Sequence, residues 1–208
     1  MTYCDIHTHR MPVHPEDRAI VAADIRRPVL NPSVRYSAGI HPREATADAL
    51  PLLYELAKHP LVTAIGETGL DKRHSPPLAV QEELFAAHIR LAEATGKPLI
   101  IHCVKAWDEL LRIRKTFGSH VSWIIHGFRG NGTLAGQLLN AGFYLSFGLH
   151  FRTEAASRAW TAHKLFAETD NDDIDIRNVY ATLAASLAVT QEDLSQQIAE
   201  NLADIQIR

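Results

Sequence analysis

Asp5-Ile6-His7-Thr8-His9 decides how the rest of the chain is read. Met1 to His9 reads as a short strand. Side chains two apart on a strand point to the same face. Asp5, His7 and His9 therefore share one face, and Ile6 and Thr8 the other. Two imidazoles at i and i+2 on a rigid strand can chelate one divalent cation from one side. A short histidine motif also fits a pair of half-buried histidines without metal. The choice turns on whether further ligands end other strands.

Working outward, Arg10 to Asp17 is a loop carrying Pro12 and Pro15, and Ala19 to Ala23 is a second strand. Pro28 and Pro32 argue against a helix before the third strand, Arg35 to Ile40, which stops at His41-Pro42. A helix is expected over Ala45 to His59, a fourth strand over Leu61 to Glu67, and a long helix over Ala79 to Thr95, with Gly96 as its cap. The remaining strands are Pro98 to Cys103, Val121 to Ile125, Phe143 to Phe147 and Lys164 to Glu168. Helices are expected over Trp107 to Phe117, Asn131 to Ala141, Thr153 to His163, Ile176 to Leu187 and Thr190 to Asp204. Thr190 and Asp193 have the spacing of a capping box.

Eight apolar strands, most followed by a helix, predict an α/β fold, a compact (β/α)8 TIM-type barrel with parallel strands buried on both faces. Its 208 residues fall below the typical barrel of about 250. Residues 10 to 34 are too few and too proline-rich for two full helices, so the early crossovers are expected to be shortened to loops. An open doubly wound sheet is the competing architecture. No repeat or linker interrupts the chain, so residues 1–208 read as a single barrel domain.

Composition narrows the function classes. Net charge is −3, so no global basic field advertises nucleic acid, although bound metals or a local patch can supply positive charge. No apolar run is long enough for a bilayer and no secretory signal opens the chain. Cys4 and Cys103, the only cysteines, cannot make a disulfide framework and read as core thiols, so a cytoplasmic location is expected. The unusual count is 12 histidines. His14, His59, His88, His120 and His163 fall in loops or on helices and read as surface residues. Oligomeric state is not readable.

The polar residues that interrupt the strands are His7, His9, Glu67, His102, His126 and Asp170, each at or near a strand's C-terminal end. In a closed barrel those ends meet at one mouth. Burying them unpaired would be costly, and a metal cluster satisfies them all. Six ligands exceed one tetrahedral zinc, so two metals sharing a bridging carboxylate is the natural count. Imidazole suits Zn, Mn, Fe or Ni, whereas phosphoryl chemistry often runs on Mg.

Asp5-Ile6-His7-Thr8-His9, Gly39-Ile40-His41-Pro42, Gly66-Glu67-Thr68-Gly69-Leu70-Asp71, His102, His126-Gly127-Phe128-Arg129-Gly130 and Glu168-Thr169-Asp170 occur in that order. The ordered set resembles the TatD-type metal-dependent hydrolases, a branch of the amidohydrolase superfamily. The resemblance implies two divalent ions per chain, one held by His7, His9, Glu67 and Asp170, the other by Glu67 as bridge with His102 and His126. It implies phosphodiester hydrolysis, typically of DNA, by a metal-activated water that Asp170 orients or deprotonates. Glu67, Asp170 and His41 are the expected catalytic residues, His41 as a substrate or phosphate contact.

The chain departs from that pattern at three places. Val104 and Lys105 stand where the family has an arginine two residues after the fifth-strand histidine. Arg129 replaces a small residue, and Asn171-Asp172-Asp173 follows the last motif in place of a small residue, proline and an aromatic. Lys72, Arg73, Lys105 and Arg129 are the candidate substitute phosphate contacts. The expected partner is DNA or a small phosphoester. Hydrolysis of another ester or amide (a phosphomonoester, an aminoacyl-tRNA ester) and a metal-binding barrel without turnover are the alternatives. The presence of Asp170 favours the enzyme.

Overall fold

The computed structural model describes residues 2–44, 46–73 and 76–207. Its eight strands are β1 (Cys4–Thr8), β2 (Arg18–Ala22), β3 (Arg35–Ala38), β4 (Val62–Asp71), β5 (Leu99–Val104), β6 (Trp123–Ile125), β7 (Phe143–Phe147) and β8 (Leu165–Ala167). They pair in parallel in sequence order. The ends meet at the mouth, where the His9 and Asp170 amides donate to the Asp170 and His7 carbonyls at 3.1 and 3.0 Å. The barrel is thereby nearly closed, and the open-sheet alternative is set aside.

The helices are α1 (Leu50–Leu56), α2 (Leu78–Thr95), α3 (Trp107–Phe117), α4 (Gly132–Asn140), α5 (Thr153–Thr161), α6 (Ile176–Leu187) and α7 (Gln191–Asp204). The core-facing side chains of β5 to β8 and of α2 to α7 form one large apolar cluster, with Trp123, Phe143, Phe147 and Phe166 fully buried, while Leu53 and Leu56 of α1 pack in a second cluster with Val21 and Tyr36. Asn131 caps α4, and Thr190 and Asp193 make the expected capping box at α7.

Neither the β1–β2 nor the β2–β3 connection contains a helix. Charged contacts hold the first of these loops in place. Arg10 pairs with Asp173, His14 Nε2 lies 2.8 Å from Asp175, and Arg177 reaches Glu16 at 2.8 Å and Asp17 at 3.2 Å. One of the acidic residues added after β8, Asp173, is thus paired within the chain.

Two boundaries differ from expectation. The helix expected over Ala45 to His59 is shorter. The described part begins with 3-10 turns at Pro42–Glu44 and Ala47–Ala49, and α1 starts only at Leu50, with proline in its first turn. Ala45 lies outside the described residues. The fourth strand is longer, running past Glu67 to Asp71, because Thr68 to Asp71 pair with Ile101 to Val104 of β5. His88 is also not a surface residue. It is fully buried on α2, accepting from the Ile40 amide at 2.9 Å, with Nδ1 2.8 Å from the Leu84 carbonyl.

Candidate metal centre

The barrel closure brings His7, His9, Glu67, His102, His126 and Asp170 to one site, with His41 among them. Ligand atoms of three groups lie within 4.8 Å of one another: His7 with Glu67 and His126, His7 with His9 and Asp170, and His41 with Glu67 and His102. Glu67, expected at the end of its strand, lies within the longer β4 and is central to the cluster. Its two oxygens divide the set. Oε2 faces His7 Nε2 at 3.4 Å and His9 Nε2 at 3.7 Å. Oε1 faces His102 Nδ1 and His126 Nε2, both at 2.8 Å, and His41 Nε2 at 3.2 Å. Asp170 Oδ1 stands 3.7 Å from His7 and 3.6 Å from His9.

Local backbone geometry makes this possible. Gly39, just after β3, abuts β4 so closely that a Cβ there would sit 2.5 Å from the Gly66 carbonyl carbon. Gly66 has φ +143, and a Cβ on it would meet the Ile100 oxygen at 2.3 Å. Only glycine at both positions lets β3, β4 and β5 converge where Glu67 emerges.

The electrostatics are those of a site built for cations. Burial works against the Glu67 carboxylate, yet His126, His102 and His41 together hold it far below the ordinary range. Burial likewise opposes charge on His126, but Glu67 and Glu168 raise its pKa well above normal. His7 is fully buried, and neither of its ring nitrogens has a hydrogen-bond partner. His102 is flanked by two carboxylates, Glu67 on Nδ1 and Asp71 on Nε2 at 3.1 Å. Unpartnered buried imidazole lone pairs converging on carboxylate oxygens match the ligand chemistry of divalent transition metals.

Three site-supporting carboxylates were not singled out from sequence. Asp71, buried at the end of β4, backs His102 and accepts from the Arg73 amide at 2.9 Å. Glu168, buried below the mouth, lies 3.5 Å from His126 Nδ1 and accepts from the Gly127 amide at 2.5 Å. Asp5, placed by alternation on the face of His7 and His9, turns instead to the β8 side, accepting from Thr169 N at 3.1 Å and Thr169 Oγ1 at 2.6 Å. Burial lifts its carboxyl pKa to about 8. Asp71 and Glu168 stand inside quoted motifs, and the usual pairing of a ligating histidine with a carboxylate was the available signal.

A cavity of about 810 Å³ opens over the cluster, lined by His9, His41, Glu67, His102, His126 and Asp170. Arg26, Arg27 and Arg43 line the same cavity. Lys72, Arg73, Lys105 and Arg129 do not line it. Lys72 is held by Glu109 at 2.7 Å and Arg73 lies 3.6 Å from Asp71, while Lys105 and Arg129 are exposed. Both cysteines are free and buried, their thiols pushed up to about 12 by burial. No described helix is long and apolar enough to cross a membrane.

A (β/α)8 barrel with a histidine and carboxylate cluster at its C-terminal mouth defines the class of metal-dependent barrel hydrolases. The model of the TatD-related DNases matches residues 16–205. The chain belongs to this TatD family of metal-dependent hydrolases. It is 31% identical over 193 residues to YcfH of Escherichia coli K12, described as an uncharacterized metal-dependent hydrolase, covering 82% of this chain and 73% of that one. Over 118 residues it is 36% identical to the 3'-5' ssDNA/RNA exonuclease TatD of Musicola paradisiaca, covering 54% of this chain and 44% of that one. In fold it matches the crystal structure of YjjV, a TatD homologue from Escherichia coli K12, with TM-score 0.83 at 18% identity, covering 98% and 97% of the two chains.

Proposed function

We propose that this chain is a two-metal phosphodiesterase that cleaves DNA. His7, His9, Glu67 and Asp170 hold one divalent ion, and Glu67, His102 and His126 hold the other, drawn from Zn, Mn, Mg, Fe and Ni. The observation that carries this is the division of Glu67, with Oε2 toward His7 and His9 and Oε1 toward His102 and His126. A carboxylate so placed would serve both ions. Bound there, they would supply Lewis-acid activation of water and neutralise charge on the phosphoryl oxygens.

The chain's own groups do the rest. Asp170, with its side chain 32% exposed at the mouth, accepts the proton of the attacking water. His41 stands at the cavity wall, where its imidazole reaches a non-bridging phosphate oxygen. Gly39 and Gly66 fix where the Glu67 carboxylate emerges. The exonuclease relatives support a nucleic-acid substrate. Residues 1–208 form one barrel domain in this proposal, and the two free cysteines favour a cytoplasmic location.

Elemental analysis of purified protein, paired with Glu67→Ala and a DNA cleavage assay, tests this. About two metals per chain, falling to one or fewer in the variant together with loss of DNA cleavage, is the expected outcome. Undiminished cleavage by Glu67→Ala would overturn it.

A further inference from the structure

The family's usual arginine after the fifth-strand histidine is absent, and the basic residues near that position do not line the cavity. Positive charge enters instead from the shortened β2–β3 connection. Arg26 and Arg27 stand in this loop, which has no helix. Asp24 Oδ1 accepts from the Arg26 amide at 2.9 Å and the Arg27 amide at 3.3 Å, so one turn presents both residues at the cavity wall. Arg43 joins them from the 3-10 turn after His41, its Nε 3.9 Å from Asp71 Oδ2 and thus close behind His102.

All three are exposed, and Arg43 Nε also faces the buried Asp71 carboxylate. Arg43 and Arg26 have half-exposed side chains, at 50% and 53%. The contact from Arg26 to Asp48 is long, 3.4 Å, and both partners are exposed, so it contributes little and yields to a stronger anion. The arginines and the cluster line one continuous cavity, whose wall also carries the small residues Ala22, Ala23 and Gly39 and the acidic Asp24 and Glu44. Guanidinium groups match phosphate oxygens bidentately and remain charged at any working pH.

We infer that Arg26, Arg27 and Arg43 form an anion subsite that takes a second phosphate of the substrate, one or more ester units from the bond that is cut. The subsite deepens the proposal of a phosphodiester substrate and rests on it. It makes an oligonucleotide, rather than an isolated phosphodiester, the preferred ligand. The loop that was shortened is the one that supplies the contact.

The test is equilibrium binding to metal-stripped protein, by competition against a fluorescent oligothymidylate, of the dinucleotides TpT, pTpT and TpTp. A charge-assisted contact of this kind is worth about tenfold in affinity or more. Wild type should bind pTpT or TpTp about tenfold more tightly than TpT, and whichever is preferred reports the side on which the subsite lies. Arg26→Ala/Arg27→Ala should abolish the preference and flatten the salt dependence by about 0.7 in log–log slope per lost phosphate contact. Arg26→Lys/Arg27→Lys should restore part of it. Equal binding of all three ligands by wild type, or an unchanged preference in the alanine variant, overturns the subsite. Turnover of TpT, pTpT and TpTp by metal-loaded wild type is read separately: a retained preference with cleavage of none of the three would overturn the catalytic proposal, whereas cleavage without the preference overturns the subsite alone.

Discussion

Asp71 Oδ2 lies 3.1 Å from His102 Nε2, on the ring edge opposite Glu67. The carboxylate accepts a proton-bearing Nε2 and so leaves the Nδ1 lone pair aimed at the cluster. This is the usual way a ligating imidazole is oriented and made more basic. Asp71→Ala should lower metal affinity by about 10–100-fold with the fold retained. Titration of the stripped protein with Zn measures it, and wild-type affinity in the variant would mean that Asp71 does not orient His102.

Glu168 acts on His126 by charge from the buried side, its Oε1 3.5 Å from Nδ1. Burial disfavours its charge, but His126 and His7 keep its pKa below the ordinary carboxylate value. Glu168→Gln keeps the shape and removes the charge. Metal affinity should fall by about 10–100-fold. Weakening the Gly127 amide bond from charge-assisted to neutral should also cost about 1 kcal/mol of stability. Chemical denaturation of the stripped protein isolates the second effect from the first.

Gly39→Ala should displace the strand that carries Glu67, because the new methyl would overlap the Gly66 backbone at 2.5 Å. Overpacking of this kind costs about 1–3 kcal/mol. A drop in melting temperature together with metal content below wild type is the expected pair of results. A variant that melts and loads like wild type would show that β3 and β4 separate freely at this point.

His88 makes stability pH-dependent without belonging to the metal cluster. Burial lowers its pKa from 6.5 to about 4. The unfolded chain therefore takes up a proton near pH 6.5, whereas the native state resists until about pH 4. The contribution is complete above pH 6.5 and is lost as pH falls through that window, by up to about 3 kcal/mol. Urea unfolding of stripped wild type and His88→Gln at pH 7 and pH 4.5 checks the sign. Wild type should lose more stability between the two conditions than the variant. Equal losses would show that His88 does not carry the effect.

Most of the barrel was legible because its strands are short apolar runs bounded by glycine, proline and polar residues, and because β5 to β8 are buried on both faces. The shortened early crossovers were legible as well, from proline placement in too little chain. The extent of β4 was not, since Thr68 to Asp71 carry no strong strand signal and are ordered by pairing with β5. His88 looked like a surface residue on an amphipathic helix. It is buried on the packed face of α2, where its Nε2 accepts from the Ile40 amide 48 positions away.

The local order of residues by itself picked out the candidate ligands that the fold brings together. His7, His9, Glu67, His102, His126 and Asp170 interrupt apolar strands, and ionisable groups in such places require partners. What only the tertiary structure decided is which group faces which. The two oxygens of Glu67 are separated between two sets of imidazoles by the convergence of β3, β4 and β5 at Gly39 and Gly66. Asp71, Glu168 and the arginines of the β2–β3 loop reach the site for the same reason. Barrel closure brings together side chains from distant parts of the chain, and no periodicity along the sequence records those distances.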